Sequence, residues 1–155
     1  MPIESLLTYL NNNHVPYTTI RHLPAYTAQE IAELSHIPGY EIAKTIIVKL
    51  DDTLAMAVLS ACEIIDFDHL AEVTGSTVAE LATEDEFMHL FEGCEVGAMP
   101  PFGNLYGMKV FVDAELALDD TIAFNAGTHT ELIKLQYHDF EDLVQPIMIE
   151  FGVMA

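Results

Sequence analysis

Positive charge is what this chain most lacks. Only five of its 155 residues are Lys or Arg, against 25 Asp or Glu, and the formal net charge is −20. Protonating all seven histidines would still leave −20 + 7 = −13. A balance this acidic excludes a broad basic face that grips a long nucleic-acid backbone. It equally excludes a polybasic membrane-surface segment. It leaves room for a small basic pocket, because net charge governs solubility and long-range steering rather than a local site. Cysteine is scarce: Cys62 and Cys94 form neither a CxxC pair nor a disulfide framework, as expected of reduced thiols in a cytoplasmic protein. The longest apolar runs, such as Leu54–Leu59, fall far short of the ~20 residues that span a bilayer. Met1-Pro2-Ile3-Glu4 carries no leader pattern of basic and then apolar residues. There is no GxGxxG and no GxxxxGK[ST], so neither a dinucleotide site nor a P-loop is expected, and no cofactor is expected.

Apolar side chains are what the chain has in quantity. At 51% hydrophobic it can build a packed core, and its length fits one domain over 1–155. Glu4–Leu10 reads as a short helix that frays at Asn11–Asn13. A β-branched and aromatic stretch from Val15 to His22 reads as a strand ended by Pro24. Thr27-Ala28-Gln29-Glu30 is a capping box that opens a helix to about His36, and Pro38-Gly39 ends it. Lys44–Leu50 and Thr53–Ser60 form a hairpin of central strands around Asp51-Asp52. Asp66 caps a helix ending near Thr74-Gly75, and a second capping box, Thr83–Glu86, opens a helix to about Phe91. Lys109–Asp113, Thr121–Asn125 and Thr130–Gln136 read as strands, and His138–Gln145 as a last helix. The apolar tail 146–155 packs either on the body or on a second subunit. Paired strands separated by helices give an α+β domain with a mixed, mainly antiparallel, barrel-like sheet flanked by helices.

Three segments carry candidate chemistry. Lys44 enters the most apolar strand, and alternation places it with Ile46 and Val48 on one face. It is either a snorkelling strand-end lysine or a charge aimed at an anionic or carbonyl group. Gly93–Gly103 holds three glycines and two prolines. It is either a rigid turn, with a cis bond before Pro100 or Pro101 as one form, or a loop that presents backbone N–H groups to a developing oxyanion. Asn125-Ala126-Gly127-Thr128-His129 is a polar turn between strands, whose histidine can serve as a proton donor or hydrogen-bonding group.

Taken in order, these segments resemble the YbaK/ProX family of aminoacyl-tRNA deacylases, whose fold also occurs as the editing insertion of prolyl-tRNA synthetases. The resemblance runs from His22-Leu23-Pro24-Ala25-Tyr26-Thr27 through Ile42-Ala43-Lys44-Thr45. It continues through the GxxxP loop Gly97-Ala98-Met99-Pro100-Pro101 with Phe102-Gly103, then Val112–Leu116 and the Ala126-Gly127 turn, covering about residues 15–145. It implies an enzyme that hydrolyses the ester of a mischarged tRNA. The implied catalytic positions are Lys44 at the terminal nucleotide, the Gly97 N–H at the aminoacyl carbonyl, and His129. His22, Ala98, Met99, Pro101, Phe102, Gly103 and Gly127 are implied to bind substrate. The implied partner is the acceptor end of an aminoacyl-tRNA, with a synthetase or another basic protein as a further partner.

Rival constellations are weaker. Glu86 and His89 have a metal-bundle spacing but no second copy, and Asp66, Asp68 and His69 suit a helix start; no metal site is expected. Cys94 has no basic neighbour to lower its pKa and reads as a bystander thiol. The competing function is a non-enzymatic module of the same fold that holds a small ligand or a basic protein.

Overall fold

The hairpin at the middle of the chain is also the middle of the sheet. In the computed structural model, which describes residues 3–155, β1 (Thr18–Arg21) follows helix α1 (Glu4–Asn12), and α2 (Ala28–Ser35) precedes the hairpin of β2 (Ile42–Leu50) and β3 (Thr53–Ser60). Then come β4 (Glu63–Ile65), α3 (Phe67–Thr74), β5 (Ala79–Leu81), α4 (Glu84–Phe87), β6 (Lys109–Asp113), β7 (Thr121–Asn125) and β8 (Glu131–Gln136). The chain ends with α5 (Tyr137–Val144), β9 (Ile147–Ile149) and β10 (Gly152–Met154).

The main sheet runs β1-β8-β7-β2-β3-β6-β9, with β5 added beside β2. The β2–β3, β7–β8, β1–β8 and β2–β5 ladders are antiparallel; β2–β7, β3–β6 and β6–β9 are parallel. The path is open, with β1 and β9 as its edges, and no ladder among the described residues closes it into a barrel.

Local signals explain most of the helices. The Thr27 hydroxyl accepts from the Glu30 N–H at 3.1 Å, Asp66 accepts from the His69 N–H at 3.1 Å, and Gly75 ends α3 with φ +70°. Thr83 and Glu86 close the second capping box, but α-helix continues only to Phe87 and a 3-10 turn over Met88–Leu90 follows. The expected strand over 15–22 shortens to Thr18–Arg21, the stretch that pairs with β8. β4, β5, β9 and β10 were not expected. The tail packs on the body: β9 adds to β6 and β10 pairs with β4. All described peptide bonds are trans, including those before Pro100 and Pro101.

Strand alternation divides the core. One face, including Ala43, Ile47, Met56, Val58, Phe124 and Ile133, packs on α1, α5 and the Gly93–Gly107 loop. The other face has two covers. Around α2, Ile31 and Ile37 pack with Ile42, Ala123 and Leu132. Around α3, Leu70 and Phe151 pack with Val48, Ala57, Leu59 and Phe111. Lys44 lies on β2 between Ile42, which belongs to the first cover, and Val48, which belongs to the second.

Candidate active site

The Gly93–Gly103 loop is bound to the β7–β8 turn by its backbone. The Glu95 N–H donates to the Gly127 carbonyl at 2.8 Å, and the Gly127 N–H donates to the Ala98 carbonyl at 2.9 Å. Both glycines are required by conformation. Gly97 has φ +81° and Gly127 φ +98°, and a Cβ on Gly127 would stand 3.1 Å from the Ile3 Cβ. Beyond Gly97 the loop turns inward. Phe102 is fully buried against Phe124 and Phe140, Met99 lies in the same core, and a Cβ on Gly103 would meet Val110 at 2.6 Å. Met99, Phe102 and Gly103 therefore anchor the loop from beneath. Ala98 and Pro101 are buried beside them, while Gly97 is exposed and, among the described residues, its N–H has no acceptor.

His129 stands beside Gly97. A Cβ on Gly97 would lie 3.6 Å from the His129 Cε1. The Nε2 of His129 is 2.6 Å from the Val96 carbonyl oxygen. A carbonyl can only accept, so Nε2 carries the proton and the neutral ring has its lone pair on Nδ1. That Nδ1 is buried and unpartnered. Tyr26 packs on the ring at 4.7 Å between centroids, and Glu95 lies 3.9 Å from Nε2. Tyr26 carries no sequence signal of its own beyond its place in the His22–Thr27 stretch.

Lys44 approaches from the sheet. Ile42 pairs with Ala123 and Ala43 with Phe124 across the parallel β2–β7 ladder. One further step of that register sets Lys44 beside Asn125, four residues before His129. The side chain lines a small apolar cleft of about 210 Å³ with Ile46, Ile64, Ile65, Phe67 and Leu81. Its ammonium makes no hydrogen bond or ion pair among the described residues. By contrast Lys49 is held by Glu86 at 2.8 Å and Glu80 at 3.4 Å. Burial pushes the Lys44 pKa down, opposed by the charges of Glu63 and Cys62. The cleft wall went unread because Ile64 and Ile65 sit on a three-residue strand and Leu81 on another.

His22 directly follows β1, and its N–H donates to the Thr130 carbonyl at 2.9 Å. Its Nδ1 lies 2.7 Å from the Leu23 carbonyl, so it donates there, and its Nε2 is buried without a partner. A cavity of about 700 Å³ includes Ser60, Cys62, Glu63, Glu115 and Asp119 in its lining. Burial, then the charge of Asp113, raises the Glu63 carboxyl to about 7; burial, then Glu41, raises Asp119 to about 6. This cavity holds none of the Gly97–His129 chemistry. The Cys94 thiol is pushed up by burial and lies 3.9 Å from the Tyr106 hydroxyl, the environment of an unreactive cysteine.

Known proteins resemble this chain in sequence and fold. The family model described as the aminoacyl-tRNA editing domain matches residues 22–143. The chain is 27% identical over 153 residues to the multifunctional Ser/Thr-tRNA deacylase ProXp-y of Escherichia coli K12, covering 96% of this chain and 91% of that protein. It is 25% identical over 150 residues to the prolyl-tRNA editing protein ProX of Acetoanaerobium sticklandii, covering 92% and 90%. A solved structure of a candidate trans-editing enzyme for prolyl tRNA synthetase superposes with a TM-score of 0.80 at 19% identity, covering 96% of this chain and 94% of that one. That likeness shows the same fold. No described helix is long and apolar enough to cross a membrane.

Proposed function

The chain belongs to the aminoacyl-tRNA editing domain family, and from that premise we propose that it is a trans-acting deacylase that hydrolyses the ester of a mischarged tRNA. The observation that carries this reading is that Gly97, whose N–H has no acceptor among the described residues, stands beside the His129 ring, whose Nδ1 is bare. Ester hydrolysis needs those two things: a donor for the oxygen that becomes negative and an acceptor for a proton of the attacking water. Water adds to the carbonyl carbon, Gly97 holds the oxyanion, and the Nδ1 of His129 orients the water and takes its proton. The tetrahedral centre collapses, the ester C–O bond breaks, and the ribose oxygen recovers that proton. The products are a free amino acid and a tRNA with a free terminal hydroxyl.

Lys44 supplies the cation that draws the terminal nucleotide to the cleft. Its ammonium makes no hydrogen bond or ion pair among the described residues, which leaves it free to meet a phosphate, with Glu63 acting on it only through its charge. His22, Ala98, Pro101 and Gly127 shape the walls of the site. Met99, Phe102 and Gly103 act by fixing the loop backbone that aims the Gly97 N–H. The names of the two relatives point to small amino acids such as serine and threonine, or to the editing of tRNAs charged by prolyl-tRNA synthetase, as the substrate class. The tRNA pool it would serve places it in the cytoplasm, with a synthetase or another basic protein as the partner suited to its acidic surface.

The test is deacylation of a panel of mischarged tRNAs. Hydrolysis of at least one member by the wild type, lost in His129→Ala, is expected. Thermal stabilisation by aminoacyl-adenosine analogues with no hydrolysis of any member would instead make the protein a binding module.

A further inference from the structure

We infer that Asn125 is a substrate-binding residue, its side-chain carbonyl oxygen accepting a hydrogen bond from the aminoacyl-ribose end of the substrate. The inference rests on the deacylase reading for the identity of the ligand. Three observations carry it. Asn125 ends β7 opposite Leu132 and, one register step past the Ala43–Phe124 pair, lies beside Lys44. Its side chain leaves the sheet on the Lys44 face, because Ala123 two residues earlier packs in the α2 cover with Ile42 and alternate residues share a face. Its Oδ1 is buried and has no partner, although the residue itself is half-buried.

A buried amide oxygen left without a donor is destabilising. Nearby polar groups do not relieve it. The His129 Nε2 proton is already donated to Val96, and the Lys44 ammonium makes no hydrogen bond here. The position is informative as well. Asn125 stands between Lys44, which faces the nucleotide, and the turn that holds Gly127 and His129 against Gly97. A ligand spanning those two points sets the ribose and the first atoms of the amino acid over Asn125. That part of an aminoacyl-adenosine offers two kinds of donor, the α-ammonium and the hydroxyl next to the ester. Either supplies the missing hydrogen bond, and a charged ammonium would make the stronger one.

The test reads binding, so it does not depend on hydrolysis. Non-hydrolysable 3′-aminoacylamino-3′-deoxyadenosines carrying seryl, threonyl or alanyl groups are titrated against wild type and Asn125→Ala by calorimetry, each also as its N-acetyl and its 2′-deoxy derivative. Wild type is expected to bind the parent about 10- to 100-fold more tightly than one of the two derivatives, the range for a hydrogen bond to a charged or buried group. Asn125→Ala is expected to close that gap, and the arm in which it closes identifies the donor. Asn125→Asp, which keeps the acceptor, is expected to preserve or widen the gap, and it covers the case in which the alanine variant folds poorly. A gap unchanged in both arms, or no measurable binding of any parent compound to wild type, overturns the inference. Parent binding with the predicted Asn125 dependence, but no deacylation of the tRNA panel, would overturn the deacylase reading alone.

Discussion

Gly97 is the residue at which conformation and chemistry meet. Its left-handed φ of +81° aims the N–H, and an alanine there takes on strain of about 1–2 kcal/mol. The added Cβ has only ordinary contact with His129, at 3.6 Å, so Gly97→Ala is expected to fold with a slightly lower melting temperature. Its deacylation rate is expected to fall by about 10²-fold, the loss typical of one misplaced oxyanion donor. Equal losses of stability and activity across a set of Gly97 variants would show that the N–H has no separate role. At Glu63 the consequence is one of pH. Its carboxyl titrates at about 7 in the fold against an ordinary 4.5, so between those values the native state holds more protons than the unfolded chain. Stability therefore falls as pH rises through that window. Glu63→Gln is expected to raise the melting temperature at pH 8 and to flatten its dependence between pH 5 and 8. A wild-type profile that rises with pH would contradict the buried, protonated carboxyl. Lys44 and Gly97 were legible as candidates from residue type and order. The bare nitrogen of His129 and the unpartnered oxygen of Asn125 were not, because they depend on which neighbour takes the other polar atom.

Among the elements, those specified by their own residues were readable and those specified by distant partners were not. The helices α2 and α3 carry their caps within three residues of their starts, and the β2–β3 hairpin is encoded in two apolar runs around Asp51. By contrast β4, β5, β9 and β10 are three residues each, too short for a period to register. They form because β2, β4 and β6 offer free edges. Asp113 fixes the last of these additions. Its Oδ1 accepts from the N–H groups of Phe151 and Gly152, both at 2.9 Å, and its Oδ2 from that of Glu115 at 3.1 Å. Removing the carboxylate leaves buried donors unpaired, at about 1–3 kcal/mol each. Asp113→Ala is thus expected to speed hydrogen exchange and proteolysis within 146–155 before the hairpin is affected. Uniform loss of protection across the chain would show that the tail is not a separate cooperative layer. The same strand additions wall the cleft beside Lys44, through Ile64, Ile65 and Leu81.

For the whole molecule, a net charge of −20 and a substrate with a phosphate backbone must be reconciled. A protein that grips only the acceptor end needs one inward cation, and Lys44 is an unpaired lysine at the cleft. Like-charge repulsion then slows encounter, and it is screened over about 8–10 Å at ordinary salt. Affinity for tRNA is expected to be weak and to hold or improve with moderate salt or Mg²⁺. A steep loss with salt, the behaviour of proteins that neutralise many phosphates, would point instead to a basic partner or a broad positive face. The central claim is that Lys44, Gly97 and His129 form one ester-hydrolysing site, and it is tested most directly by deacylation of the mischarged-tRNA panel with wild type and Lys44→Ala side by side. The account predicts that wild type clears at least one aminoacyl-tRNA and that Lys44→Ala, folded by its melting curve, is slower by about 10²-fold. No hydrolysis of any member, or equal rates for the two proteins, would contradict it.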